Sequence, residues 1–168
     1  MRTKYEVIIP RPKDGHLPFK ENRLLTEEVL RQIEEWHELG IQKIYWNRTL
    51  VVSGVRVECD ALLKCSTPFG RERWIEVELK DVDLAKVLSQ AVERRPLVDY
   101  AYVVVGGLSL PAVVDPVVRV YSPLLKHYDI GLFWENQMLV ASRYRAVSYT
   151  HLRAHETRHD LVCRLLLE

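Results

Sequence analysis

A chain of 168 residues has room for one domain with a sizeable core, and its composition, 48% hydrophobic and 28% charged, is that of an ordinary globular protein. A formal net charge of +1 argues against a global basic field, no apolar run approaches the roughly 20 residues of a membrane span, and "MRTKYEVIIPRPKDG" lacks the apolar core of a signal peptide. Three cysteines, Cys59, Cys65 and Cys163, without CxxC spacing argue against a disulfide framework or a Cys-zinc site and suit a reducing cytoplasm.

Residues 1–25 read as an extended arm punctuated by Pro10, Pro12 and Pro18, with "YEVII" as a short edge strand. "TEEVLRQIEEWHELG" predicts an amphipathic helix: Thr26 caps it, acids fill the first turn and Gly40 closes it. Its apolar stripe is Val29, Ile33 and Trp36, which places Trp36 in the core. "KIYWNRTLVVSG" and "VRVECDALLKCS" are β-rich runs joined at Ser53-Gly54, a hairpin signal, and Trp46 and Trp74 suit cross-strand packing. "TPFGRE" is a turn, and "RWIEVELK" alternates as a strand. "DVDLAKVLSQAVERR" is helical through Leu84, Val87, Leu88 and Ala91, and "DYAYVVVGG" is a strand buried on both faces. Gly106-Gly107 after it lacks GxGxxG and reads as a turn. "DPVVRVYSPLLKHYD" is helix in one or two pieces, and "IGLFWENQMLVASRY" is a hairpin turning near Asn136. The expected architecture is an α/β domain over residues 1–146, with a mixed central sheet flanked by helices.

The texture changes after Arg145. "HLRAHETRHD" spells H-E-x-x-H with His155, Glu156 and His159, the spacing at which a helix gives two ligands to zinc and a carboxylate to activate water. However, "VSYTHLRAHET" and "LVCRLLLE" resemble the two constant blocks of a translated transposase-type sequencing adapter, with Arg158, His159 and Asp160 where the variable index falls. On this reading 147–168 is a non-native tail, the natural product is truncated near Ala146, and the motif carries no protease.

One arrangement carries chemistry. Glu78 and Lys80 share one face of "WIEVELK", and the turn before it brings that strand back along "VRVECDALL", so Asp60 can lie beside Glu78. Two carboxylates with a backbone carbonyl and waters suit Mg²⁺ or Mn²⁺, and a nearby lysine can orient or deprotonate a water. The plainer alternative makes Glu76, Glu78 and Lys80 a solvated strand face beside Arg73, with Asp60 paired to Arg56. The strand's expected central position weighs against it, because buried charge is costly unless a ligand compensates.

This D…ExK pattern, over roughly residues 26–141, resembles the PD-(D/E)xK nuclease superfamily, whose fold is restriction-endonuclease-like. The resemblance implies a metal-dependent nuclease, with Asp60 and Glu78 binding the metal and Lys80 serving the water. It implies a further metal contact from the first helix, Glu28 with Glu27 and Glu35 as rivals, and a catalytic-site Gln in the next helix, matched by Gln90. Arg94 stands where RecB-like members carry Tyr, and Cys59 where a Pro often precedes the Asp. The partner so implied is nucleic acid, DNA before RNA, with a homodimer as the assembly and no membrane. The rival is a non-catalytic module on the same fold that binds nucleic acid or protein. Arg94 and Arg95 at a helix end are read first as cations meeting the helix dipole and second as phosphate contacts, and His37 and His127 as surface or satisfied residues.

Overall fold

The computed structural model describes residues 6–8, 23–52, 55–81, 83–107 and 111–147. The arm from 9 to 22, Ser53-Gly54 and the tail from 148, with its H-E-x-x-H and Cys163, lie outside the described residues.

Seven strands form one mixed sheet in which spatial order equals chain order. They are β1 (Glu6–Ile8), β2 (Gly40–Val52), β3 (Val55–Ser66), β4 (Glu72–Asp81), β5 (Tyr100–Gly106), β6 (Ile130–Trp134) and β7 (Gln137–Val140). Helix α1 (Glu27–His37) precedes β2, α2 (Leu84–Arg94) joins β4 to β5, and α3 (Pro111–Tyr128) joins β5 to β6. β2, β3 and β4 are antiparallel, whereas β4, β5 and β6 run parallel. Two crossovers that step the same way along a sheet put their helices on the same face when both are right-handed. Accordingly α2 and α3 cover one face with Leu62, Ala101, Val103 and Val105. α1 covers the other with Ile75, Val77, Leu79, Tyr102 and Val104.

Local chemistry explains most elements. Thr26 caps α1 by accepting from the Val29 N–H at 3.2 Å, and Asp83 caps α2 by accepting from Lys86 N–H at 3.1 Å. Gly70, with φ 78, closes the turn between β3 and β4, where Gly70 N–H donates to the Thr67 carbonyl at 2.9 Å. α3 runs as one helix through Pro116 and Pro123, each forfeiting one intrahelical bond. Trp74 packs across the strands against Tyr45, ring centres 5.9 Å apart.

Three expectations need correction. Gly40 does not close α1: Glu38 does, in the left-handed region at φ 53, and Gly40 already begins β2. Trp36 is 65% exposed rather than core, because the buried stripe is Val29, Leu30, Ile33 and Glu34. Glu34 is tolerated there because its carboxylate accepts the Ile41 N–H at 2.9 Å. The end of the extended arm is a helical turn at Arg23-Leu24, with Leu24 and Leu25 in the core.

No described helix is long and apolar enough to cross a membrane.

Candidate functional site

β4 is the middle strand, buried on both faces. Its odd residues meet α1; its even residues, Glu76, Glu78 and Lys80, face the α2 side beside Ala101, Val103 and Val105 of β5. Glu76 is further flanked by Leu62 of β3. Two carboxylates are thus carried into an apolar layer, Glu76 at 0% and Glu78 at 2% exposure, while Lys80 is half-buried nearer the strand end.

Asp60 reaches this place through an irregularity in β3. Asn47, with φ 50, lies opposite it, between the pairs Trp46–Ala61 and Arg48–Cys59. Ala61 belongs to the α1-side cluster and Cys59 to the α2-side cluster, although residues two apart in a regular strand share a face. The ladder between β3 and β4 ends at Ala61–Val77. Beyond it Asp60 Oδ2 accepts the Leu79 N–H at 2.8 Å, a side chain substituting for the next carbonyl of the ladder. This sets the Asp60 carboxylate against β4 between Glu78 and Lys80.

The countercharge comes from α2. Leu84, Val87, Leu88 and Ala91 face the sheet, and the next turn puts Arg94 on the same stripe at 5% exposure. Its Nε lies 3.2 Å from Glu78 Oε1 and 3.6 Å from Glu76 Oε1. None of these contacts has hydrogen-bond geometry: Arg94 Nε and Nη1, both Glu76 oxygens and Glu78 Oε1 are buried without a hydrogen-bond partner. Two carboxyls share one guanidinium, so with both ionised the cluster would hold more negative than positive charge. Burial raises the pKa of Glu76 to about 7, with the Arg94 charge pulling down and Asp60 pushing up. Burial raises Glu78 as well, reinforced by its neighbours Glu76 and Asp60. A proton on either carboxyl would be shared with the other.

The structure therefore sets the Asp60 carboxylate on the Leu79 N–H, puts Lys80 on the same face of β4 as Glu78, and lays Glu76 and Glu78 against Arg94. Gln90 is half-buried on α2, one turn before Arg94. Glu28 is not brought in: α1 covers the opposite face, and Glu28 pairs with Arg31 at 2.6 Å on the exposed side of its own helix. Glu27 and Glu35 are likewise exposed on α1, Glu35 pairing with Arg31 at 2.6 Å. Among the described residues no three His, Cys, Asp or Glu side chains group as metal ligands. A cation at this place would be held by two carboxylates completed by backbone oxygen and water. That donor set fits a hard ion, although Glu78 Oε1 already lies against Arg94 Nε without a hydrogen bond.

Glu76 and Arg94 escape sequence reading because each looks like surface. The signal was present, since a strand between two neighbours and under a helix must bury both faces. The stripe 84, 87, 88, 91 continues to 94.

Arg95, the next residue, is spent on structure. At 1% exposure it donates to the carbonyls of Tyr128 at 3.0 Å, Val98 at 2.7 Å, Asp99 at 3.2 Å and Arg143 at 2.7 Å. His37 is satisfied by the Tyr102 hydroxyl at 2.6 Å.

No family model, no curated protein and no solved structure matches the chain.

Proposed function

We propose that the chain is a metal-dependent phosphodiesterase of the PD-(D/E)xK type, restriction-endonuclease-like in fold, acting on DNA before RNA. The observation that carries this reading is the Asp60 carboxylate inserted into the β4 ladder at Leu79, between Glu78 and Lys80. The order helix, hairpin bearing Asp, ExK strand, helix, parallel strand supports it.

Under this reading Asp60 and Glu78 hold Mg²⁺ or Mn²⁺. Such an ion supplies Lewis acidity, lowering the pKa of a water and offsetting charge on the phosphate. Lys80, half-buried on the same face as Glu78, orients the attacking water and takes part in its deprotonation. Asp60 is held in place by the Leu79 N–H, and its carboxylate would contribute to holding the ion. A homodimer is the expected assembly.

A second reading is favoured by a different observation: Arg94 already lies against Glu78, and the pair is sealed under α2. A buried, self-neutralising cluster suits a non-catalytic module that binds nucleic acid or protein.

Plasmid, single-stranded and branched DNA with Mg²⁺ or Mn²⁺ separate the two. The nuclease cleaves at least one substrate, and Lys80→Ala or Asp60→Asn lowers the rate by roughly 10²- to 10⁴-fold. Cleavage that persists in Lys80→Ala overturns the mechanism. DNA retention without cleavage establishes the binding module.

A further inference from the structure

The least settled charges in the described structure are Glu76, Glu78 and Arg94. They lie at ion-pair distance, yet two guanidinium donors and three carboxylate oxygens have no hydrogen-bond partner. Glu76 and Glu78 are close enough to share a proton between their carboxyls, but Arg94 is fastened to neither. Buried polar groups are ordinarily fastened, so the guanidinium is the member that a small motion can rearrange. The two carboxylates differ in surroundings. Glu78 adjoins Asp60 and Lys80 at the end of the β3–β4 ladder, whereas Glu76 sits one step deeper between Leu62 and Ala101. Arg94 is nearer to Glu78, by 3.2 Å against 3.6 Å, and a shift of a fraction of an ångström exchanges one for the other.

Resting on the metal-site reading above, we infer that Arg94 is an exchangeable counter-ion. It lies against Glu78 in the metal-free protein and moves onto Glu76 when Asp60 and Glu78 take up a divalent cation. Glu76 is then a positioning residue outside the coordination, whose two open oxygens receive the displaced guanidinium. Without such a receiver, a cation entering beside Glu78 would face an uncompensated positive charge in a low-dielectric layer. The arrangement also gives the protein a folded, neutralised resting state before the cation arrives.

Mn²⁺ affinity of the full chain, read by electron paramagnetic resonance or calorimetry and not by cleavage, tests this in a double-mutant cycle. Glu76→Gln is expected to weaken Mn²⁺ binding about tenfold, a coupling of ordinary size. Arg94→Met removes the competitor and tightens binding. In that background Glu76→Gln has no further weakening effect. Equal weakening by Glu76→Gln in both backgrounds overturns the exchange and makes Glu76 a direct contributor to the ion's field. No weakening in the wild-type background overturns it too. If Arg94→Met does not fold, Arg94→Lys replaces it: a shorter point charge spans the carboxylates poorly, and the Glu76→Gln effect must shrink at least threefold or the inference fails. Wild type that takes up no Mn²⁺ overturns the metal-site reading as well, whereas binding without coupling overturns the exchange alone.

Discussion

Arg94 and Arg95 are consecutive, nearly equally buried, and in opposite circumstances. Arg95 finds four carbonyls, from the link just before β5, the end of α3 and the segment after β7, and its fork ties these three pieces of chain together. Arg94 finds two carboxylates and hydrogen-bonds to neither. Carbonyls accept a guanidinium without adding charge, so the Arg95 site is settled at any pH. Carboxylates add charge, so the Arg94 site depends on protons or cations to balance it. The same contrast separates two aspartates. Asp99 Oδ2 accepts the Trp74 N–H at 2.8 Å near the start of β4, much as Asp60 accepts Leu79 N–H near its end. A carboxylate plugged into a strand ladder is therefore a structural device in itself. Asp60 differs in its place, at the end of β4 that carries Glu78 and Lys80 on the α2 side.

Breaking the settled side should give the largest effect. Arg95→Met leaves four carbonyls without their donor and is expected to cost about 3 to 5 kcal/mol, the range for removing one partner of a buried charged network. Urea midpoints with an unchanged slope would show it, and most of the loss should persist from pH 5 to pH 8, the remainder following Glu76 and Asp99, whose charges Arg95 also feels. A loss confined to one end of that range would mean that Arg95 is chiefly neutralising an acid rather than clamping carbonyls.

The unsettled side should show the reverse. The Glu76 carboxyl has its pKa raised in the fold from 4.5 to about 7, so the folded state binds more protons than the unfolded chain between those values. Stability is then fully present below about pH 4.5 and falls as pH rises through 7. Glu78, shifted in the same direction, adds to the fall. Glu76→Gln keeps the shape, removes one titrating group, and should flatten the thermal-stability profile across that window while raising stability at pH 8. A profile for Glu76→Gln that parallels wild type would place the excess charge elsewhere.

How far the sequence announced this depends on what kind of signal each feature leaves. The antiparallel pairing of β2 with β3, the Thr26 cap and the strand at "WIEVELK" are local and were legible, as was the approach of Asp60 to β4 once the turn at Gly70 was read. The helical phase of α1 was misread through apolarity alone. Glu34, polar but bonded to Ile41 N–H, belongs to the buried stripe, and omitting it swung the inferred face toward Trp36. The turn of Asp60 into the β4 ladder, opposite the left-handed Asn47, left no clear signal, because the face a strand residue takes there is decided by packing. Arg94 was hidden for a related reason. Its role is fixed by which carboxylates the crossover lays beneath it, which is a property of the sheet and not of "VERRP".

The smallest expected effect comes from the opposite face and sharpens the contrast by its sign. His37 lies at the end of α1 against Tyr100, ring centres 4.0 Å apart, and meets the Tyr102 hydroxyl. Burial lowers its pKa from 6.5 to about 4. A depressed base means that the unfolded chain binds the extra proton, so this contribution is lost as pH falls from about 6.5 through 4. The α1 face therefore weakens toward acid and the α2 face toward neutrality, and between about pH 4.5 and 6.5 the two changes oppose each other. His37→Gln should lift the acid limb alone, by less than Glu76→Gln lifts the other, because His37 is only half-buried and water screens part of its cost. A variant that moves both limbs together would show that the sheet does not insulate its faces, and the charge imbalance on the α2 side would then lose its claim to be local.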